Sequence, residues 1–443
     1  MKKTNDFTEG KILIPLFQFT IPIMLTIFLQ GLYGAVDLMI VGQFGDASSV
    51  SAVATGSQIM QTVTGIITGL SMGITIVIGQ KIGEKKMEEA ARTVGAAISL
   101  FAVIAVIVTG LMMILSRNIT QLVNTPVEAF EKTVQYVFIC SIGIVFIITY
   151  NVISAIFRGC GNSKLPLIIV AIACITNIAG DYVLIGTFKL DASGAAIATV
   201  FAQVVSVICS FTIIRKQGMP FAFSRKNIRF YKKELKRIVK LGFPISLQDA
   251  LTNVSFLIIT SIINSLGLIA SAAIGVSEKI VVFIMLIPMA YMSSVSAFVA
   301  QNVGAGKSDR AKKTMYYAMG TSLLFGVLMF VVSFWHGDIL AGVFSKNDQV
   351  IATCAEYMKA YAIDCVLVCI LFCFMGYFNG CGKTVFVMAQ GVIAAFFVRI
   401  PFSYFVSKIP GVTMLQIGFA SPIATIFAVI LSICYFKYIS KSS

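Results

Sequence analysis

The sequence predicts an all-α polytopic membrane protein: twelve transmembrane helices in two pseudo-two-fold-related six-helix bundles around a central cleft. Three observations carry this expectation. Of 443 residues, 58% are hydrophobic and 12% charged, and the mean hydropathy is +0.93, far outside the range of soluble domains. The apolar runs exceed 20 residues, enough to cross about 30 Å of hydrocarbon as helix, whereas a β-barrel would alternate polarity in strands of roughly ten residues. Finally, the second half repeats the first. Adding 221 carries Gln80, Gly83, Lys86, Ala90 and Thr93 onto Gln301, Gly304, Lys307, Ala311 and Thr314. The same offset carries Phe157-Arg-Gly-Cys-Gly161 onto Phe378-Asn-Gly-Cys-Gly382 and Ile59 onto Ile280, and Pro22 meets Pro244 at 222. One offset held across separate regions marks an internal repeat. Six spans per copy give both copies the same orientation, with the pseudo-axis along the membrane normal.

The spans are expected at 13–42, 50–80, 92–115, 132–157, 165–187, 194–215, 241–266, 271–301, 313–335, 350–378, 385–406 and 413–437. Met1-Lys-Lys resembles the start of a signal peptide, but the run from Leu13 to Gly42 is too long for one and reads as a retained first span. With a cytoplasmic N-terminus, 26 of the 34 Lys and Arg fall on the cytoplasmic side. Six fall on the other (Arg117, Lys132, Lys189, Lys346, Lys359, Lys408), and Lys279 and Arg399 lie within spans. This places both termini in the cytoplasm of a multi-pass inner or plasma membrane protein, and the net charge of +15 requires no nucleic acid.

The domain plan is a six-helix lobe over 1–215, a cytoplasmic linker over 216–240 and a second six-helix lobe over 241–443. From Arg215 to Lys240 the chain carries ten basic residues. Its middle, from Tyr231 to Ile238, reads as a short surface helix attracted to anionic lipid. The ten cysteines sit mostly inside apolar runs and predict no disulfide framework. Cys365, Cys369 and Cys373 share a helix face, but with one histidine in the chain, His336, they read as small apolar filler.

Among the acids within spans, five stand out: Asp37, Asp181, Asp249, Glu278 and Asp364. A carboxylate in hydrocarbon costs several kcal/mol, by an order-of-magnitude estimate, so each faces a bundle interior or a wet cavity. Asn177 and Asp181 are four apart and share a helix face. With Asp37, and with Asn151 and Thr199 in neighbouring spans, they form a candidate proton or cation site. Desolvated carboxyl groups can exchange protons near neutral pH, and the same oxygens could hold Na⁺ at Asp37, Asn177 and Asp181. The positions 221 further on are Val398 and Phe402, so the site is one-sided. Glu278, Asp249 and Asp364 are candidates for contacting a cationic substrate, with pairing of Glu278 to Arg399 or to another span as the structural alternative.

Other motifs read as structure. Gly380-Cys-Gly-Lys-Thr384 resembles the end of a phosphate loop, but position 377 is tyrosine and an apolar helix precedes it. Gly69 and Gly73 form a small-xxx-small packing pattern. Pro22, Pro244, Pro288 and Pro401 lie in spans, where they can kink helices.

Together these residues resemble the MATE family of multidrug and toxic-compound extrusion transporters. The resemblance covers essentially the whole chain. It rests on Pro22…Asp37-Leu-Met-Ile-Val-Gly42, the paired Gln80-x-x-Gly83 and Gln301-x-x-Gly304, the Arg158-Gly-Cys-Gly161 turn and Asn177-x-x-x-Asp181-Tyr-Val-Leu. It implies export of organic cations and other amphipathic compounds in exchange for H⁺ or Na⁺, by alternating access and largely as a monomer. It also implies a first-half cation site at Asp37, Asn151, Asn177, Asp181 and Thr199. Where another branch has a glutamate early in the seventh span, this chain has Asp249. The expected protein is therefore an antiporter and not an enzyme, with small drug-like substrates, membrane lipid around it, and no cofactor beyond the coupling ion. The alternatives are a lipid-linked sugar flippase of the same superfamily, which would want more cleft cations than Lys279 and Arg399, or an intramembrane enzyme.

Overall fold

A computed structural model describes residues 6–442. The signal-like Met1-Lys-Lys start lies outside them. The described chain is helical throughout. It runs α1 Leu13–Phe44, α2 Ala47–Gly83, α3 Met87–Leu122, α4 Val127–Ile142, α5 Ile144–Gly159, α6 Lys164–Asp181, α7 Asp191–Gln217 and α8 Lys232–Asn264. It continues as α9 Leu268–Gly304, α10 Ser308–Trp335, α11 Gly337–Gly342, α12 Asp348–Gly380, α13 Thr384–Ile393, α14 Ile400–Ser407, α15 Met414–Gly418 and α16 Ala420–Ser442. Among the described residues eleven segments are long and apolar enough to cross a membrane alone, and α4 with α5 makes a twelfth, bent by 50°.

That bend falls inside the span expected as one helix over 132–157. Gly143 sits at the break, and a Cβ there would lie 2.7 Å from Val200 Cγ2 of α7. The missing side chain lets the broken span lie against α7. Two further spans contain a wide turn. After Asp181, α6 continues as a π-helix over Tyr182–Thr187, and Ala394–Arg399 does the same between α13 and α14. Such turns commonly mark functional positions. Pro22, Pro244 and Pro288 lie inside unbroken helices, while Pro401 stands at the start of α14, where a missing N–H leaves no bond unmade.

The separate surface helix expected near 231–238 is not separate. Lys232–Asn264 is one helix of 33 residues, because Lys, Glu, Leu, Arg and Ile are all helix-compatible and nothing interrupts them before the span begins.

Two compact units divide the chain. One holds Ile21–Ser246, Gly304–Gly306 and the N-terminal residues to Glu9; the other holds Gly10–Thr20, Leu247–Val303 and Lys307–Ser443. The division falls inside α8. Each unit reproduces the repeat at atomic level. In the first, a Cβ on Gly159 would lie 2.9 Å from Thr75 O; in the second, a Cβ on Gly380 would lie 2.8 Å from Ser296 O. These partners are again 221 apart. Gly161 and Gly382 follow with φ of 77° and 76°, a conformation that glycine adopts without strain. The segment resembling a phosphate loop is therefore a helix–turn–helix corner, one of a matched pair.

Within the first unit, α8 crosses α2 at two glycines. A Cβ on Gly73 would lie 2.5 Å from Ile238 O, and one on Gly242 would lie 2.3 Å from Leu70 O. Small residues let the backbones approach this closely. Buried hydroxyls in the apolar helices mostly donate to the carbonyl one turn back, as Thr20 does to Leu16, Ser71 to Ile67 and Ser141 to Val137. That bond satisfies a polar group without a partner helix.

Candidate functional site

Four helices of the first unit supply the polar cluster. Asp37 lies on α1, Asn151 on α5, Asn177 and Asp181 on the last turns of α6, and Thr199 on α7. Asp37 is 3% exposed, and Asn177 and Asp181 are 0% exposed. Thr199 Oγ1 donates to Asp37 Oδ2 across 3.4 Å. Asp37 also stands beside Asn177 and Asp181. The four-residue spacing of Asn177 and Asp181 points both side chains toward α1, and Thr199 closes the other side.

Among the described residues the remaining polar atoms lack a hydrogen bond. Asp37 Oδ1, both Asp181 oxygens and both amide atoms of Asn177 are buried without a hydrogen bond. Neither carboxyl group forms an ion pair with a Lys or Arg among the described residues. Two neighbouring carboxylates repel each other, and burial removes the water that would screen them. A proton or a small cation relieves both penalties. The donor set of carboxylate, amide and hydroxyl oxygens suits a hard cation, the oxygen-ligand chemistry of Na⁺ or H⁺ exchange. Among the described residues no group of three or more His, Cys, Asp or Glu is arranged to hold a metal ion.

Asn151 is placed differently from the other four. Its amide oxygen accepts from Thr68 Oγ1 at 3.0 Å, and its Nδ2 donates to Ile147 O at 2.9 Å. It ties α5 to α2. Tyr33 and Gln203 are not among the expected site residues, yet a bond of 3.1 Å from Gln203 Nε2 to the Tyr33 hydroxyl lies beside the cluster. The signal was present: Tyr33 is four before Asp37 and Gln203 four after Thr199. A cavity of about 30 Å³, large enough for a single water, lies next to them and is lined in part by Gln30, Tyr33, Tyr150, Cys174, Gln203 and Ser206.

The acids of the second unit are dispersed. Glu278 of α9 is exposed and accepts from Thr260 Oγ1 at 2.6 Å. It makes no ion pair with Arg399, whose guanidinium lies 5.0 Å over the Phe256 ring. Glu278 is thus tied to a neighbouring span through Thr260 of α8, not to Arg399. Asp364 of α12 is 3% exposed, lies near Thr425 and Arg399, and has Oδ1 without a partner. Tyr357 stands within the field of Arg399, Asp364 and Glu278 together. Glu278, Thr260, Phe256, Tyr357, Tyr361 and Ser421 line a cavity of about 20 Å³. Among the described residues the Asp249 carboxylate of α8 forms no ion pair.

Just past the cluster, where Asp46 follows Asp37 by nine residues and Asp191 follows Asp181 by ten, Lys132 gathers three segments. Its ammonium lies 2.9 and 3.0 Å from the two Asp46 oxygens, 2.7 Å from Ser49 Oγ and 3.5 Å from Asp191 Oδ2. Asp46 also caps α2 by accepting from Ser49 N at 2.7 Å. The Ser49 hydroxyl, then Lys132, hold the Asp46 carboxyl well below the ordinary carboxylate range.

Twelve apolar crossings built as two related halves, with a carboxylate pair walled into one half only, define a membrane transporter rather than an enzyme. The chain belongs to the MatE family, whose sequence profile matches residues 22–183 and 244–405, well over half of its length and once per repeat. It is 27% identical over 437 residues to a probable multidrug resistance protein of Bacillus subtilis, YpnP, covering 98% of this chain and 97% of that one. It is 24% identical over 391 residues to the multidrug export protein MepA of Staphylococcus saprophyticus, covering 87% and 86%. Among solved structures, the fold matches a MATE transporter in complex with MaL6 with a TM-score of 0.93 at 17% identity, over 100% of this chain and 99% of that one. An outward-facing multidrug resistance MATE transporter matches equally, with a TM-score of 0.93 at 17% identity over the same shares. At such identities the structures speak for the fold.

Proposed function

We propose that this protein is a secondary active antiporter of the plasma membrane that exports organic cations and other amphipathic compounds in exchange for H⁺ or Na⁺. The observation that carries the reading is the pair Asp37 and Asp181, buried side by side with three of their four oxygens unpartnered. Asn177 and Thr199 complete the ion's surroundings, and Asn151 braces the site through α2. Occupation by a proton or Na⁺ neutralises the pair and loosens the Asp37–Thr199 contact. The first half then rearranges and favours release of substrate to the outside; loss of the ion toward the cytoplasm resets it. Glu278 and Asp364 are the second-half groups offered to a cationic substrate. Both termini face the cytoplasm, following the basic surplus, and the working unit is a monomer.

The relatives named for multidrug resistance and export support this reading. The test is dye efflux in liposomes, with a pH gradient and a Na⁺ gradient imposed separately. Movement of an organic cation against its own gradient under one of them is the expected result. Movement under neither would remove the antiporter reading.

A further inference from the structure

We infer that the connection between the two halves carries a binding site for an anionic phospholipid, formed by Arg229, Lys232 and Lys236 with Ile228 and Phe230 as its apolar floor. It is independent of the ion and substrate reading above.

The height of this segment in the membrane follows from α3. That helix has 36 residues, about 54 Å at 1.5 Å per residue, so it overhangs about 30 Å of hydrocarbon at both ends. Its charges are Glu88, Glu89 and Arg92 at one end and Arg117 near the other, with none between. Gly95, three residues past Arg92, therefore marks the border of the hydrocarbon on the basic side. A Cβ on Gly95 would lie 1.8 Å from Asn227 O, so the connection rests its backbone directly on α3 at that level. The contact is held locally, since Asn227 Oδ1 accepts from Ser224 N and Oγ at 2.9 and 3.0 Å. The residues that follow stay at the same height: Tyr231 and Glu234 lie within the field of Arg92, and Lys233 within that of Glu89.

What this level presents outward is mixed. Ile228 is 41% exposed and Phe230 63% exposed. Arg229, Lys232 and Lys236 are exposed, and none forms an ion pair among the described residues. Lys232 and Lys236 are one turn apart on α8, where like charges repel unless an anion lies between them. Apolar side chains at the hydrocarbon border beside unpaired cations fit one occupant: a lipid whose acyl chains meet Phe230 and whose phosphate meets the cations. A free phosphate would satisfy the cations but leave the apolar floor bare.

The full chain with Phe230→Trp and Trp335→Phe has a single tryptophan, because Trp335 is the only one present. In phosphatidylcholine vesicles its emission should move to the blue as phosphatidylglycerol is added and should not respond to inorganic phosphate. The same chain with Arg229→Gln, Lys232→Gln and Lys236→Gln should lose the shift, each neutralised cation weakening retention about fivefold. An equal shift in the neutralised chain, no dependence on phosphatidylglycerol, or a response to inorganic phosphate overturns the site. Should the neutralised chain fail to elute as a single species, native mass spectrometry of the unaltered protein decides. Retention of phosphatidylglycerol over phosphatidylcholine supports the site, and equal retention overturns it.

Discussion

Gln203 and Tyr33 form the second of two rungs between α7 and α1. The first joins Thr199 to Asp37 at 3.4 Å; the second, one turn away on both helices, is 3.1 Å long. Both residue numbers shift by four, in opposite senses, so the helices run antiparallel with matched faces. Breaking the second rung by Gln203→Leu or Tyr33→Phe should disturb the first without removing it. A neutral hydrogen bond contributes about 1 kcal/mol, so the ion dependence of transport should shift by about fivefold while the protein remains folded. Initial efflux rates measured across pH and Na⁺ concentration check this; an unchanged dependence in both variants would show the rung to be passive.

Asp181→Asn and Asp37→Asn keep size and shape while removing the ionisable group. Each should abolish gradient-driven efflux, with expression and solubilised behaviour unchanged, because an amide cannot alternate between charged and neutral forms. Normal efflux in both variants would falsify the coupling role.

Glu278→Gln should weaken transport of cationic substrates by removing a negative charge that Thr260 hydrogen-bonds and no ion pair neutralises among the described residues. Neutral amphipathic substrates should be unaffected. Apparent KM values for a cation and a neutral compound of similar size separate the two, and an equal change in both would point to a purely structural role.

Gly159→Ala and Gly380→Ala should both lower the melting temperature, since the new Cβ would stand 2.9 and 2.8 Å from fixed backbone carbonyls. Overpacking of this kind costs about 1–3 kcal/mol. Gly110→Ala is the control, because nothing lies within 4 Å of its added Cβ. Thermal unfolding in detergent gives the comparison.

The Asp46 cluster predicts an acid sensitivity of defined sign. Its folded-state carboxyl titrates below the ordinary value, so the cluster's stabilisation is complete above the ordinary carboxylate range, near pH 4. It is lost as the pH falls below that range toward the depressed value. The difference in melting temperature between the protein and Asp46→Asn should therefore be flat from pH 8 to about 5 and shrink below about 4. A difference that grew on acidification would contradict this assignment.

Much of the architecture was legible because hydrophobic length and the 221-residue offset are one-dimensional signals. They locate the crossings and tie Gly159 to Gly380 from the sequence alone. The bend at Gly143 was not legible, since it depends on Val200 of a helix 57 residues later. The continuity of α8 was missed because charge suggested a surface segment, whereas the backbone follows propensity and docks on α2. In the polar cluster, residue type and spacing were enough to name Asp37, Asn177, Asp181 and Thr199. They could not tell that Asn151 turns to Thr68, nor that Arg399 lies over Phe256 rather than beside Glu278. Those outcomes depend on rotations about helix axes that sequence spacing leaves free.

The duplicated chain has kept its corner glycines in both copies but its carboxylate pair in one. In the second copy the counterparts of Asn177, Asp181, Thr199 and Gln203 are Val398, Phe402, Ala420 and Ala424, and that of Asp37, at the offset of 222 seen for proline, is Ile259. Ala420, Ala424 and Ile259 are buried, and Val398 packs against the cluster around Ala424. Moving Asp181 alone into Phe402 would therefore strand a charge among methyl groups, because every neighbour it relies on has been replaced. The second half's own buried acid, Asp364, stands at a different position, and rebuilding the carboxylate pair at the equivalent positions would take several replacements made together.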